Sequence, residues 1–513
     1  MKALSLFLPT LPFLPVLFPI VAGIALLFQP AGTAAERQAA RHVYVGFATL
    51  LNAALTVAVA VFANPQSGLP AGEELLTLCR VTDTLSIAFR MDTLARVFSL
   101  LVAFIWPLVT FYAFEYLRRR PPEGRFFASF LSTFGILIGV ACAANLLTLY
   151  LFYELMTFMT LPLVMHSQQR EAIRATVKYL FYSLAGASMA LGGFFFFHVY
   201  GVSMDFTPGG VLDMAKVAGN RDIMLAVTFL TLMGFGAKAG MVPLHAWLPA
   251  AHPVAPSPAS AVLSGLITKA GIIAMVRVVY FLAGPDFLRG TWVQKAVIGM
   301  ALLTIFTGSM MAYTEKHLKK RIAWSTVSQV SYVAFAMMLL TPEGLTGALL
   351  QLVAHAMAKS CLFLSAGVVI YCTLQGANYH YADQLHGVGK ELPVTMSCFA
   401  LASLSIVGLP VTGGFVAKWY MASGAISSEA GWPGMVGIAV LMVSALLTAG
   451  YLLPIVIDAF FPGENYDYSS VVPLHLPMKM RLPLLLLSAG ALLAGLFAGP
   501  LTRCFAPIVG ILR

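Results

Sequence analysis

The sequence predicts an all-α, polytopic membrane protein with about fourteen transmembrane helices. Of its 513 residues, 59% are hydrophobic and only 10% are charged, whereas soluble domains usually carry about 25% charged residues. Apolar stretches of about 18–20 residues, the length that crosses a bilayer, recur from one end of the chain to the other. So few charges cannot cover a water-facing surface, and we therefore expect one membrane domain over residues 1–513.

Apolar runs between turn residues predict the limits of these helices. The limits are 4–28, 41–63, 91–116, 125–142, 146–166, 174–200, 222–247, 255–281, 292–313, 320–340, 345–374, 393–424, 434–458 and 483–508. The first run could be mistaken for a signal peptide, but it is longer than the apolar core of about 7–15 residues that signal peptides have. We therefore expect it to be retained as the first helix.

Basic residues predict the orientation of the helices, because basic loops stay on the cytoplasmic side. Two short loops, after the third and ninth predicted helices, are strongly basic. They contain Arg118, Arg119, Arg120 and Arg125, and Lys316, Lys319, Lys320 and Arg321. Odd-numbered helices should therefore end inside the cell. Both termini are then expected on the external or periplasmic side of the cell inner (cytoplasmic) membrane.

Two blocks of five predicted helices, residues 125–281 and 292–458, correspond in order, and helices in 1–116 and 483–508 flank them. Because five is an odd number of spans, the second block is inverted relative to the first. Helix breakers beside a lysine predict broken helices at spans 7, 8 and 12. They are Pro243, Pro249, Pro253, Pro256 and Pro258 after Lys238, and Gly408, Pro410, Gly413 and Gly414 before Lys418. Broken helices in inverted repeats indicate a midplane ion path, with ordinary proline kinks as the alternative.

Charged residues inside the predicted helices are candidates for that path. They are Glu154, Lys178, Lys238, Lys269, Lys359 and Lys418. A charge at a helix centre costs at least about 2.5–3.5 kcal/mol when it faces lipid, so these side chains should face the bundle interior, pair, or meet water. Lysine suits a proton relay because a buried ammonium changes its protonation readily, unlike a guanidinium. Arg96 and Arg277 lie nearer helix ends, where snorkelling to the interface is expected.

Some of these charges also have a purely structural interpretation. Glu154 could load and release a proton in step with a neighbouring lysine, or it could form a static ion pair. Lys178 could serve the same relay, or its ammonium could snorkel to the interface.

Histidines and uncharged polar residues extend the set of candidates. His355 and Lys359 are four residues apart and share a helix face, which favours a proton hop. A hydrogen bond from the histidine to a backbone carbonyl is the alternative. His252, at the start of the eighth span, and His245 are weaker candidates that could equally line a cytoplasmic loop. Polar residues on the tenth span could hold water that bridges the two halves, or simply join helices. They are Ser325, Thr326, Ser328 and Gln329.

Cofactor and nucleic-acid binding are not expected. The six cysteines are scattered, with no C-x-x-C pair and no His/Cys cluster at metal spacing, so neither an iron–sulfur cluster nor a zinc site is predicted. No glycine-rich nucleotide loop follows a strand. The formal charge of +10 lies mostly in loops, where it orients membrane helices rather than binding nucleic acid. Any redox chemistry must therefore take place on another chain.

Several motifs carry a resemblance to one family. They are the stretches 234–249 and 251–258 and the shorter stretches 89–92, 153–156, 266–271, 318–325, 355–359 and 414–418. In order and placement they resemble the proton-translocating membrane subunits shared by respiratory complex I, membrane-bound hydrogenases and Mrp-type cation/proton antiporters. The resemblance runs from about residue 81 to 458 and is most specific from Lys238 to Pro258.

The resemblance implies roles for individual residues. It implies a proton relay in the order Glu154, Lys238, Lys269, His355, Lys359 and Lys418, with Glu154 and Lys238 as the coupled pair of the first half-channel. Lys418 stands where one complex I subunit type has glutamate, which is similar to the hydrogenase and Mrp branches. Such subunits work inside larger complexes, so other membrane subunits and peripheral redox subunits are expected partners.

Three functions remain open at this point. The leading hypothesis is a proton-pumping subunit driven by redox chemistry in partner subunits, and the second is a subunit of an Mrp-type Na⁺/H⁺ antiporter. A stand-alone solute symporter is the third, but its cation sites would favour carbonyl and carboxylate oxygens over lysines. The same residues could carry protons in the first two, and the chains that co-purify with this one would separate them.

Overall fold

Helices make up most of the structure, a computed structural model that describes residues 13–28, 35–62, 76–118, 122–373, 380–463 and 475–512. The first nine helices are α1 (Leu14–Leu27), α2 (Ala35–Phe62), α3 (Thr93–Tyr116), α4 (Glu123–Cys142), α5 (Leu146–Val164), α6 (Arg170–Tyr200), α7 (Arg221–Ala239), α8 (Leu248–Val254) and α9 (Ser257–Ala283). The remaining helices are α10 (Trp292–Thr314), α11 (Leu318–Met338), α12 (Pro342–Thr373), α13 (Pro393–Val407), α14 (Gly413–Ser427), α15 (Trp432–Phe460), α16 (Met478–Leu496) and α17 (Ala498–Val509). Short helical turns lie at Met214–Val217, Pro285–Leu288 and Val388–Glu391.

Eleven helices in the described ranges are long and apolar enough to cross a membrane by length and composition. The coarse expectation of a mostly helical, multi-span membrane protein is therefore confirmed. The helices α1 and α13 and the segment Ala498–Leu512 are shorter, and α11 begins with a basic turn. Residues 4–12 of the first predicted helix, together with Arg119 and Arg120, lie outside the described residues.

Three of the predicted helix ranges contain an end or a division in the structure. The predicted helix 222–247 stops at Ala239, because Gly240 adopts a left-handed conformation at φ 82° that turns the chain. The predicted helix 393–424 divides into α13 and α14, with Gly408 at φ 88° as the first residue of the break. The last predicted helix divides into α16 and α17.

A small antiparallel hairpin, β1 (Leu76–Arg80) and β2 (Ser86–Phe89), departs from the expected all-α fold. In the sequence, strands this short cannot be distinguished from a loop between helices. The hairpin is joined to the helical bundle through backbone bonds: Arg90 N–H donates to the Cys142 carbonyl at 2.7 Å, and Ala144 N–H donates to the Ala88 carbonyl at 3.0 Å. It therefore covers the junction between α4 and α5.

The helix α9 forms the centre of the bundle. Every one of its residues is buried, and it contacts α3, α4, α7, α11 and α12. A glycine allows one of these close approaches: a Cβ at Gly271 would lie 2.8 Å from both the Phe235 carbonyl oxygen and the Ala239 nitrogen of α7. Small residues at helix contacts let membrane helices approach closely, so this one sets the spacing of α7 and α9.

Arg277 corrects an expectation from the sequence. It was expected to snorkel near a helix end, but its side chain is only 1% exposed and forms a bidentate ion pair with Asp92, with Nη2 and Oδ1 2.9 Å apart. Asp92 also caps α3 by accepting a hydrogen bond from Ala95 N–H at 3.0 Å. Planar guanidinium and carboxylate groups match in this geometry, so the pair fixes α9 to the start of α3.

The basic loop before α11 is also more ordered than a solvated run of charges. Lys319 is buried and donates to the Ala255 carbonyl, while Lys320 Nζ lies 2.7 Å from the Glu315 carboxylate. Burial alone would raise the pKa of Glu315, but hydrogen bonds from Lys320 and the His317 amide hold this pKa below its ordinary value. The position of Lys319 in a basic loop therefore did not predict that its side chain is buried.

We predict that the Asp92–Arg277 pair is needed for stability. The Asp92→Ala variant leaves a buried guanidinium without its counter-ion, which should cost about 3–5 kcal/mol. The control is Asp286→Ala, because Asp286 is 96% exposed and lies 3.8 Å from Arg289, and exposed pairs contribute little. The measurement is the thermal unfolding midpoint of the purified protein, and equal midpoints for the two variants would contradict the prediction.

Candidate functional site

Lys238 lies in the last turn of α7, where it is fully buried. Its Nζ donates to the Thr157 hydroxyl and, at 3.4 Å, to the Tyr153 carbonyl, both on α5. The same nitrogen lies 4.4 Å from the centre of the Tyr153 ring and 5.9 Å from that of Tyr179. Dipoles and aromatic faces therefore surround this ammonium.

Glu154 is beside Lys238 but does not form an ion pair with it. The two charges interact, yet the six ion pairs found among the described residues do not include Glu154. The carboxyl group is partly buried, and its Oε1 has no hydrogen-bond partner. The alternative of a static ion pair is therefore not observed, and the carboxylate stays free to change its charge or its contacts.

The segment between α7 and α9 holds Pro243 and His252. Trp247 Nε1 donates to the Ala237 carbonyl at 2.8 Å, and the Gly240 amide donates to the same carbonyl at 3.1 Å where α7 ends. His252 on α8 is fully buried and stacks on Phe363, with ring centres 4.6 Å apart. Both nitrogens of His252 lack a hydrogen-bond partner. This histidine lies within electrostatic range of Lys269, Lys319 and Lys359.

Lys269 is the buried lysine of α9, and an irregularity of that helix supplies its acceptor. Its Nζ donates to the Ser264 carbonyl, which lies five residues earlier in the π-helical segment Leu263–Ile267. A π segment changes the helical hydrogen-bond pattern and is frequent at functional sites. The Ser264 hydroxyl in turn bonds that of Thr326 on α11 at 2.7 Å. The π segment therefore gives Lys269 a neutral acceptor in the centre of the bundle.

Lys359 and His355 lie on one face of α12. Lys359 is fully buried, and its Nζ donates to the Ser325 hydroxyl at 2.7 Å and to the Ile322 carbonyl at 3.0 Å. His355 is buried one turn away, and both of its ring nitrogens lack a hydrogen-bond partner. The alternative in which a backbone carbonyl fixes this histidine is therefore not observed.

Lys418 lies at the break between α13 and α14. Its Nζ donates to the carbonyls of Ile406 and Val407, at 2.8 and 2.7 Å. These carbonyls have no partner within the helix because α13 ends there, and the end of a helix attracts cations. Gly408 permits the approach, since a Cβ at this position would lie 3.1 Å from the Lys418 ammonium. Pro410 lies exposed within the break.

The structure brings most of the predicted residues into the bundle interior, but not all of them. Lys178 lies exposed on α6, apart from the buried lysines. Sequence reasoning missed Thr157, which is three residues from Glu154 and therefore shares its helix face. It also missed Gln351, which lies one turn before His355 and two turns before Lys359. The spacing of four residues was visible in the sequence, but an uncharged amide did not attract attention there.

Comparisons with known proteins give the family. A family described as "NADH:quinone oxidoreductase/Mrp antiporter, TM" matches residues 143–448, and one described as "NADH-Ubiquinone oxidoreductase (complex I), chain 5 N-terminus" matches residues 81–127. The NADH-quinone oxidoreductase subunit N of Desulforudis audaxviator (strain MP104C) is 33% identical over 431 residues, which cover 79% of this chain and 81% of that protein. The chain therefore belongs to the NADH:quinone oxidoreductase/Mrp antiporter family of membrane subunits, and the resemblance seen in the sequence is confirmed.

Solved structures share the fold along nearly the whole chain. A chain of the membrane-bound sulfane sulfur reductase, an archaeal respiratory membrane complex, aligns with a TM-score of 0.81 and 22% identity over 98% of this chain and 97% of that one. A chain of the Mrp complex from Dietzia sp. DQ12-45-1b aligns with a TM-score of 0.79 and 21% identity over 98% and 99%. All six predicted relay residues lie within the family match at 143–448.

Proposed function

We propose that this chain is a proton-translocating membrane subunit of a multisubunit, redox-driven complex. One observation carries the proposal. Four lysines of the bundle donate to neutral hydroxyl and carbonyl acceptors, and none of them belongs to an ion pair found among the described residues. They are Lys238, Lys269, Lys359 and Lys418. Family membership supports the same function.

Neutral acceptors matter because a relay site must both gain and lose its proton. A carboxylate in contact would hold an ammonium in its charged form, and removing the proton would leave an unpaired buried anion. Hydroxyls and carbonyls stabilise the ammonium less strongly, so the proton can leave. In the proposed relay, a proton passes through water from one lysine nitrogen to the lone pair of the next. Glu154 changes the field at Lys238 without holding it in a fixed pair.

The chain is proposed to divide into two inverted half-channels, residues 125–281 and 292–458, flanked by helices in 1–116 and 483–508. Fourteen spans, with broken helices at the seventh, eighth and twelfth, belong to this proposal. It is supported by one feature common to both halves: a helix ends beside a lysine, at Ala239 next to Lys238 and at Val407 next to Lys418. Interrupted helices at corresponding positions of inverted repeats are typical of ion paths.

Partner subunits are part of the proposal. The relative from Desulforudis audaxviator is named as one subunit of an NADH-quinone oxidoreductase, and the fold recurs in respiratory and Mrp complexes. Other membrane subunits would cover the apolar outer face of α15, where Val436, Val443 and Leu446 are exposed. Peripheral redox subunits would supply the driving reaction, and the bilayer would cover the remaining apolar surface.

A subunit of an Mrp-type Na⁺/H⁺ antiporter is the second candidate function. It is favoured by the family description, which includes Mrp antiporters, and by the likeness to the Mrp complex from Dietzia sp.. The same lysines could then carry protons against an exchanged cation. A requirement for Na⁺ in proton transport by the purified complex would favour this function over the redox-driven pump.

We predict that Lys238→Arg and Lys238→Ala both abolish proton transport while the complex still assembles. Alanine removes the nitrogen that carries the proton, and a guanidinium keeps its proton too tightly to release it. The measurement is proton transport by sealed vesicles that contain the whole complex, normalised to complex yield. The control pair is Lys216→Arg and Lys216→Ala, because Lys216 is exposed and lies 3.9 Å from Asp213. A structural role would give the opposite pattern, in which arginine supports full transport.

We also predict that both termini face the external or periplasmic side of the cell inner membrane. The basis is the pair of basic loops at 118–125 and 316–321, which should remain cytoplasmic. A reporter fused after residue 513 should be active only if it functions outside the cytoplasm. Activity of a reporter that works solely in the cytoplasm would overturn this topology.

A further inference from the structure

Two glutamine side chains meet between α11 and α12. Gln351 Nε2 donates to Gln329 Oε1 at 2.9 Å, and both residues are buried, with exposures of 2% and 0%. Successive turns of α11 fix the position of this contact. Ser325 bonds Lys359, Gln329 follows one turn later, and the ring of Tyr332 lies 5.3 Å from the Lys418 ammonium. The amide pair therefore lies between the contacts of the last two lysines.

The amide pair leaves two buried polar atoms without a partner, Gln329 Nε2 and Gln351 Oε1. One is a donor and the other an acceptor. If both amides were turned over, one donor and one acceptor would again be left. His355, one turn along α12 from Gln351, adds two unpartnered ring nitrogens. A buried polar atom without a partner costs about 1–3 kcal/mol, so this cluster favours a small polar ligand such as water.

A neighbouring hydroxyl cluster, unlike the glutamine pair, satisfies its own polar atoms. The hydroxyls of Ser309, Ser328 and Ser444 lie 2.6, 2.8 and 3.3 Å from one another. Each of them has partners within the cluster, so the three serines hold α10, α11 and α15 together without further help. In the glutamine pair, by contrast, Gln329 Nε2 and Gln351 Oε1 have no partner within hydrogen-bond distance, and the Tyr332 phenol is the further polar group that interacts with Gln329.

We propose that Gln329 and Gln351 form a water-orienting amide link between Lys359 and Lys418. Water would accept a hydrogen bond from Gln329 Nε2 and donate one to Gln351 Oε1, which fixes its orientation for proton transfer. The proton leaves the Lys359 ammonium, passes through the oriented water, and binds the nitrogen lone pair of Lys418. The amides do not carry the proton, so both glutamines are positioning residues. The inference deepens the proposed proton-relay function and rests on it.

The test is proton transport by sealed vesicles that contain the whole complex, with redox turnover and complex yield measured in parallel. The Gln329→Leu/Gln351→Leu double variant removes both partners at once, so neither amide is left unpaired and the complex should still assemble. Its transport should fall by about tenfold or more, because a badly placed transfer partner costs up to about a hundredfold. The matched control is Gln294→Leu: this glutamine is equally buried but bonds the Met338 carbonyl and the Gly290 amide. Its transport per assembled complex should be unchanged.

Two further variants separate positioning from packing. Gln351→Met fills a similar volume without hydrogen bonding, whereas Gln351→His keeps one donor and one acceptor. The histidine variant should transport at least about tenfold faster than the methionine variant, and this comparison decides the matter if the double variant does not assemble. Equal transport by the two would overturn the inference.

The Lys418→Ala variant separates failure of the inference from failure of the proposed function. Loss of transport in Lys418→Ala, together with full transport in the glutamine double variant, would overturn the amide link alone. Full transport in Lys418→Ala as well would overturn the proposed relay, and the amide link with it. Three results together support the inference: transport is lost in Lys418→Ala, it falls in the double variant, and it is faster in Gln351→His than in Gln351→Met.

Discussion

The cost of burying an ammonium group is the constraint on which the rest of the structure depends. A buried charge needs compensating dipoles or a counter-ion, and the protein supplies dipoles by interrupting its helices. The end of α13 gives Lys418 two backbone carbonyls, and the π segment of α9 gives Lys269 one. Hydroxyls complete the set at Lys238 and Lys359. Helix irregularity and lysine burial are therefore two aspects of one arrangement.

The Asp92–Arg277 pair shows the opposite solution in the same bundle. Here a guanidinium, which does not release its proton, meets a carboxylate in bidentate geometry and is fixed. The protein thus uses a permanent charge with a counter-ion to hold α9 to α3. It uses lysines with neutral acceptors where the charge is proposed to change. The structural pair and the four proposed relay lysines therefore differ in both the cation and its partner.

The sequence predicted the helical membrane fold and the candidate lysines because apolar runs and isolated charges are strong signals. Lys238, Lys269 and Lys359 are isolated charges in apolar helices, and the free-energy cost of a charge that faces lipid predicts that they turn to the bundle interior. The burial of residues near helix ends was harder to predict. Arg277 and Lys319 could reach either water or the interior, and only the packing of the helices decides which. The hairpin and Gln351 escaped notice because short strands and a neutral amide carry little signal, whereas Gln329 was already a candidate for holding bridging water. The helices α7 and α13 end at Ala239 and Val407, each directly before a glycine in the left-handed conformation. The sequence only suggested this conformation.

Lys269 gives the most direct test of the account, because it is the central lysine of the proposed relay and a backbone carbonyl accepts its hydrogen bond. The measurement is the number of protons moved per electron pair by sealed vesicles that contain the complete complex, driven by the redox substrate of the partner subunits in Na⁺-free buffer. The account predicts that the wild-type complex moves protons and that an assembled Lys269→Met complex does not. An unchanged number of protons in the Lys269→Met complex would contradict the claim that protons cross through the buried lysines.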